Sequence, residues 1–120
     1  MTTRSEKHSL RLKPALDFIH ANPDKMPMLG EMANLCGLSV SYFSRLFHRE
    51  IGVSFINYVN KYKVDMACER LRSPAKLHVA ELSRELGFSD ASYFIRVFKK
   101  ITGMTPNGYR KRFRMGLLDR

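Results

Sequence analysis

Residues 87–110 read GFSDASYFIRVFKKITGMTPNGYR, and their punctuation decides the fold. Gly87 ends one helix, because glycine takes a left-handed backbone at a helix stop without steric cost. Ser89 or Asp90 caps the next helix. That helix has an apolar side of Phe94, Val97, Phe98 and Ile101 and a polar, basic side of Ser92, Arg96, Lys99 and Lys100. Gly103 stops it and Thr105 caps a further helix. Pro106 then stands where the first helical N–H has no partner in any case.

The same grammar occurs upstream. Displaced by 50 residues, Glu31, Met32, Ala33, Gly37, Leu38 and Ser39 meet Glu81, Leu82, Ser83, Gly87, Phe88 and Ser89. The second copy has one extra residue in its turn. At a displacement of 51, Ser41, Tyr42, Phe43, Arg45, Phe47, Gly52, Ser54 and Tyr58 meet Ser92, Tyr93, Phe94, Arg96, Phe98, Gly103, Thr105 and Tyr109. Exposed polar positions match as well as apolar ones, which core packing alone does not require. Each copy is helix, glycine turn, helix, with a small residue (Ala33, Ser83) where two helices cross closely.

Helical spacing extends through the rest of the chain. A first helix runs from about Leu10 to Ala21, with Leu12, Ala15, Leu16, Phe18 and Ile19 on its apolar side, and Asn22-Pro23 ends it. A second begins near Leu29 and turns Met32, Ala33 and Cys36 inward. Ser39 or Val40 precedes a third, about Ser41 to Ile51, striped by Phe43, Leu46, Phe47 and Ile51. Ser54 caps a longer helix, about Phe55 to Leu71, expected to bury Phe55, Val59, Tyr62, Met66 and Leu71. After the break at Ser73-Pro74-Ala75 come helices over about Val79 to Leu86, Ala91 to Ile101 and Pro106 to Met115. The expected architecture is all-α: about seven helices in two small bundles joined by the Phe55–Leu71 helix.

Composition narrows the partner. Lys and Arg number 21 against 11 Asp and Glu, a net charge of +10, which favours a polyanion and nucleic acid first. No apolar run approaches 18 residues, and residues 1–9 form a polar arm without a signal-peptide core. Cys36 and Cys68 lie in apolar helical patterns and read as reduced packing residues of a cytosolic protein. No metal-ligand spacing is present, and the four histidines read as surface or boundary residues.

With the apolar stripes turned inward, Ser41, Ser44, Arg45 and His48 face out on the third helix, with Arg49 at the edge. The matched face downstream is Ser92, Ile95, Arg96 and Lys99, with Ala91 at its start. Arginine forks onto guanine O6 and N7, so Arg45 and Arg96 are read as base contacts. The alternatives are a carboxylate partner or phosphate alone. Ile95 stands between a thymine methyl contact and burial on a wider apolar face. Tyr42, Tyr58, Tyr93 and Tyr109 read as packing residues whose hydroxyls reach a backbone group or phosphate. Arg110, Lys111, Arg112 and Arg114 suit phosphate and also suit the negative end of a helix dipole.

These residues resemble the DNA-binding domain of AraC/XylS-type bacterial transcription regulators. The resemblance is carried by Val79, Glu81-Leu82, Gly87-Phe88, Ser92-Tyr93-Phe94, Arg96, Phe98-Lys99-Lys100, Gly103, Thr105-Pro106 and Tyr109-Arg110, with the first copy in agreement. It covers about Leu12 to Phe113. It implies two helix-turn-helix subdomains, each a homeodomain-like three-helix bundle, at about 29–51 and 79–101. The linker helix lies at about 55–71, within a DNA-binding domain over 10–113 followed by a basic tail, 114–120. It further implies recognition helices in successive major-groove segments, promoter DNA and RNA polymerase as partners, and activation rather than repression. A monomeric state for this chain and a bacterial cytoplasmic, nucleoid-associated location go with that reading. Base contacts carried over by alignment fall on Ser41, Ser44, Arg45, Ala91, Ser92, Ile95 and Arg96. Phosphate or edge contacts fall on His48, Arg49, Lys99, Lys100, Arg110, Lys111 and Arg112. Met28 and His78 depart from the family's usual Ser or Thr, and Lys63 from its common Arg.

No cofactor or metal is expected, nor catalysis, since the chain has no Pro-Cys-His-Arg motif, phosphate loop or paired carboxylates. A charge-only architectural or RNA-binding module is the competing class. The polar start suits an inter-domain linker as well as a natural terminus, so a preceding sensor domain is left open.

Overall fold

The computed structural model describes residues 10–118; the expected arm, with His8, and residues 119–120 lie outside them. The described residues hold seven helices and no strand: α1 (Lys13–Ala21), α2 (Leu29–Leu35), α3 (Val40–Ile51), α4 (Phe55–Leu71), α5 (Val79–Glu85), α6 (Ala91–Thr102) and α7 (Pro106–Arg114). The chain divides into two compact units between Val59 and Asn60, within α4.

In the first unit, Leu12, Ala15 and Ile19 of the α1 region pack inward, as do Met32 and Ala33 of α2 and Phe43, Leu46 and Phe47 of α3. Phe55 joins Phe43 and Phe47 edge-on, with ring centroids 5.6 and 5.5 Å away. Such pairs add roughly 0.5–1.5 kcal/mol each beyond the area they bury. The second unit repeats the plan with Phe88, Phe94, Phe98 and Tyr109, whose successive centroids lie 5.0, 5.9 and 5.7 Å apart.

Both helix pairs turn through the same backbone motif. Leu38 N–H donates to Ala33 O and Gly37 N–H to Asn34 O, each at 3.0 Å. Phe88 repeats the bond to Ser83 and Gly87 the bond to Arg84, again at 3.0 Å. This is a Schellman stop, and it needs the left-handed backbone that Gly37 (φ 69°) and Gly87 (φ 90°) supply. Ala33 and Ser83, both buried, are the small residues at the crossing.

Caps fix the recognition helices. Ser39 Oγ accepts from Tyr42 N–H at 3.2 Å, so Val40 is the first helical residue, not part of the cap. Of Ser89 and Asp90, it is Asp90 that caps α6, accepting from Ser92 N–H at 2.9 Å. Ser54 and Thr105 cap α4 and α7 through Asn57 and Gly108 N–H. Met28 and His78, at the starts of α2 and α5, make no side-chain cap bond.

Three expectations are corrected. On α4, Tyr62 and Met66 are only half-buried, and the buried positions are Phe55, Val59, Asn60, Lys63, Val64, Ala67 and Leu71. The buried stripe runs through two polar side chains, which hydropathy alone assigns to solvent. Ile101 is 38% exposed. Its helix closes instead through Thr102, whose Oγ1 donates to Phe98 O at 2.9 Å and accepts from Met104 N–H at 3.1 Å. Cys36, Leu16, Phe18 and Ile51 are half-buried rather than buried.

The structure also extends the repeat. Val64, Ala67 and Leu71 of α4 occupy in the second unit the places of Leu12, Ala15 and Ile19 in the first, a displacement of 52 that the earlier matching did not reach. The front of α4 meanwhile matches α7, with Ser54 and Tyr58 corresponding to Thr105 and Tyr109.

The glycines give a stability prediction. Gly103 has φ 83° and Gly30 an ordinary helical backbone with open space where a Cβ would stand. Gly103→Ala is expected to cost about 1–2 kcal/mol and Gly30→Ala to add about 0.5 kcal/mol. Urea unfolding of the two variants checks both signs.

Candidate nucleic-acid interface

On α3, Ser41, Arg45, His48 and Arg49 are exposed and Ser44 is half-buried. Ser44, Arg45, His48 and Arg49 line one open depression together with Ser54, the cap of α4. On α6, Ser92, Arg96, Lys99 and Lys100 are exposed, and Ala91 and Ile95 half-buried. Ile95 therefore offers part of its side chain to solvent and packs the rest. A second depression joins Ala91 to Arg84 and Ser89. Arg84 is exposed at the end of α5 and was absent from the sequence expectation. A basic residue opposite Asn34 of the first copy was the available signal.

Among the described residues neither Arg45 nor Arg96 has a carboxylate partner. Arg96 lies over the Tyr93 ring, its guanidinium carbon 5.8 Å from the centroid. Arg49 differs, since its Nε donates to Glu50 Oε2 at 3.3 Å while its side chain stays largely exposed.

The basic tail separates into two kinds of residue. Arg110 is half-buried; its guanidinium donates to the carbonyl of Leu77 and, at 2.8 Å, to Asn107 Oδ1. It ties the loop before α5 to α7. Lys111, Arg112 and Arg114 are exposed.

Of Tyr42, Tyr58, Tyr93 and Tyr109, Tyr109 is buried, Tyr42 and Tyr58 are half-buried, and Tyr93, expected to pack, is 38% exposed; the hydroxyl of each meets a side chain. Arg11 donates to Tyr42 at 2.8 Å, Asn60 Nδ2 to Tyr93 at 3.4 Å and Arg72 to Tyr109 at 2.9 Å, while His20 Nε2 lies 2.9 Å from Tyr58 Oη. Burial pushes the Tyr109 phenol up, with the bond from Arg72 opposing it. Burial likewise raises the thiols of Cys36 and Cys68, so both are protonated at neutral pH and poor nucleophiles. Both cysteines are free. The described residues include no cluster fit for a metal ion and no helix long and apolar enough to cross a membrane.

Charge is unevenly shared. Residues 1–59 carry seven Lys and Arg against five Asp and Glu, and residues 60–120 carry fourteen against six. The surplus is +2 in the first unit and +8 in the second.

The chain is similar to known proteins in sequence and in fold. The helix-turn-helix domain family matches residues 32–112. The chain belongs to the AraC-type helix-turn-helix family. It is 36% identical over 111 residues to the regulatory protein PocR of Salmonella typhimurium, covering 92% of this chain and 36% of PocR. It is 31% identical over 102 residues to the arabinose operon regulatory protein of Escherichia coli, covering 83% of this chain and 34% of that protein. The chain thus spans about a third of the length of these two regulators. Among solved structures, the DNA-binding domain of AdpA in complex with a target DNA superposes with a TM-score of 0.75 at 17% identity, over 88% of this chain and 94% of that one. This last likeness shows the shared all-helical fold. AraC-type members of this family are DNA-binding transcription regulators.

Arg110 gives the section's prediction. Losing a charged donor leaves the Leu77 carbonyl without its partner, so Arg110→Ala is expected to cost about 2 kcal/mol of stability. Lys111→Ala, on the exposed side of the same helix, should stay within about 0.5 kcal/mol. Thermal unfolding of the pair distinguishes clasp from surface charge.

Proposed function

We propose that this chain is the sequence-reading part of a transcription activator that binds double-stranded promoter DNA. The observation that carries the reading is the matched pair Arg45 and Arg96. Each stands exposed near the middle of a recognition helix, without a carboxylate partner among the described residues, on a repeated motif with the same glycine turn. α3 and α6 enter successive major-groove segments. Arg45 and Arg96 fork onto guanines, the serines at positions 41, 44 and 92 adjust to several bases, and the half-exposed Ile95 meets a thymine methyl, with Ala91 close to the groove. His48, Arg49, Lys99, Lys100, Lys111 and Arg112 lie toward phosphates, and Arg84 and Arg114 join them. Arg110 acts through the fold, because Leu77 and Asn107 hold its guanidinium.

The domain so defined runs over 10–113, with reading motifs at 29–51 and 79–101, an arm before it and a basic tail after. It acts as a monomer without cofactor or catalysis, in the bacterial cytoplasm on the nucleoid, beside RNA polymerase.

The test is equilibrium binding to a fragment selected from a random pool, against random DNA at fixed salt. A preference of several kcal/mol is expected; equal affinities would sink the reading and leave a charge-only binder. Arg45→Ala and Arg96→Ala should each lose about 1–3 kcal/mol of discrimination at one base pair. Lys111→Ala should weaken all sequences alike and reduce the salt slope by about 1.

A further inference from the structure

Although the two copies match residue for residue at their arginines, the side chains beneath those arginines differ. In the second unit, the Tyr93 ring lies under Arg96, 5.8 Å from its guanidinium carbon to the centroid. That ring is held from two sides. Phe88, buried, stands against it with centroids 6.1 Å apart. Asn60 of α4, only 8% exposed, places Nδ2 3.4 Å from the Tyr93 hydroxyl. The Asn60 Oδ1 is buried and has no hydrogen-bond partner. A tyrosine hydroxyl both donates and accepts, so it satisfies whichever end of the amide faces it. The orphaned amide oxygen leaves the Tyr93 hydroxyl as the polar partner that Asn60 meets.

The described residues of the first unit are arranged differently. Leu38 stands where Phe88 stands in the second copy. The Tyr42 hydroxyl accepts from Arg11 at 2.8 Å. Among the described residues no ring lies under Arg45.

We infer that Tyr93, anchored by Asn60 and Phe88, is a positioning residue that pre-sets the Arg96 guanidinium for one guanine, whereas Arg45 reaches its base from a free rotamer ensemble. This rests on the reading of Arg96 as a base contact. An arginine spread over many rotamers loses that freedom on binding, and one already laid over a fixed ring loses less. The ring also favours the cation through its quadrupole. The second head therefore discriminates through a rigid arginine and the first through an adaptable one.

The test uses the full chain and measures a discrimination ratio: affinity for a selected site over the same site with one base pair replaced. Arg96→Ala and Arg45→Ala first identify the base pair each arginine reads. Tyr93→Leu is expected to lower the ratio about two- to five-fold at the Arg96 base pair and to leave the Arg45 base pair unchanged. Tyr93→Phe keeps the ring and should lose less. The proposal is overturned if Tyr93→Leu leaves the Arg96 ratio intact, if it lowers both ratios alike, or if Tyr93→Phe loses as much. A second measurement needs neither variant nor DNA. Relaxation of the arginine Nε–H groups in the free protein should show Arg96 more restricted than Arg45, and equal order parameters refute the anchoring. If Arg96→Ala changes discrimination nowhere, the base-reading role fails instead, and the relaxation result stands apart from it.

Discussion

The structure depends on one short constraint, the backbone bond across each glycine turn. Leu38 N–H to Ala33 O and Phe88 N–H to Ser83 O set where the chain leaves the first helix of each motif. That exit fixes which residue caps the next helix, and the cap fixes the helical phase. With the phase set, Phe43, Leu46 and Phe47, or Phe94, Val97 and Phe98, must turn inward. Ser41, Arg45 and His48, or Ser92, Arg96 and Lys99, are then left outside. A β-carbon at Gly37 or Gly87 would oppose the left-handed backbone, at a cost of about 1–2 kcal/mol. The outward faces thus depend on turns that glycine makes without that cost.

A second dependence runs through α4. Its front supplies Phe55 and Val59 to the first core, and its remainder supplies Val64, Ala67 and Leu71 to the second. The two ends match different helices of the repeat, α7 and the α1 region. The duplicated piece is therefore a four-helix segment whose copies share one helix. A helix that serves two cores cannot keep a single hydrophobic stripe, and this is why Asn60 and Lys63 are buried on it.

That sharing explains what was legible in the sequence. Helices α3, α6 and α7 start at capping residues, and α2, α3, α5 and α6 stop at glycines, all local chemistry, so these limits lie within two residues of the expected ones. The outer faces of α3 and α6 followed from phase alone. The burial pattern of α4 did not, because it is set by what packs on it rather than by its own hydropathy. The polar partners of the four tyrosines were also out of reach. Each joins residues at least 31 apart in the sequence, and no spacing rule links Arg11 to Tyr42 or Arg72 to Tyr109. Arg110 shows the same limit in reverse. Its basic run suggested phosphate, and no spacing rule pointed to the Leu77 carbonyl, 33 residues away, that accepts from it.

The repeat makes the differences between the units informative. Symmetric copies reading a symmetric site would need equal faces, yet the first unit carries a surplus of +2 and the second +8. His48 and Glu50 stand opposite Lys99 and Ile101. Non-specific attraction to a polyanion scales with the cations presented to it, and the second unit carries the larger surplus.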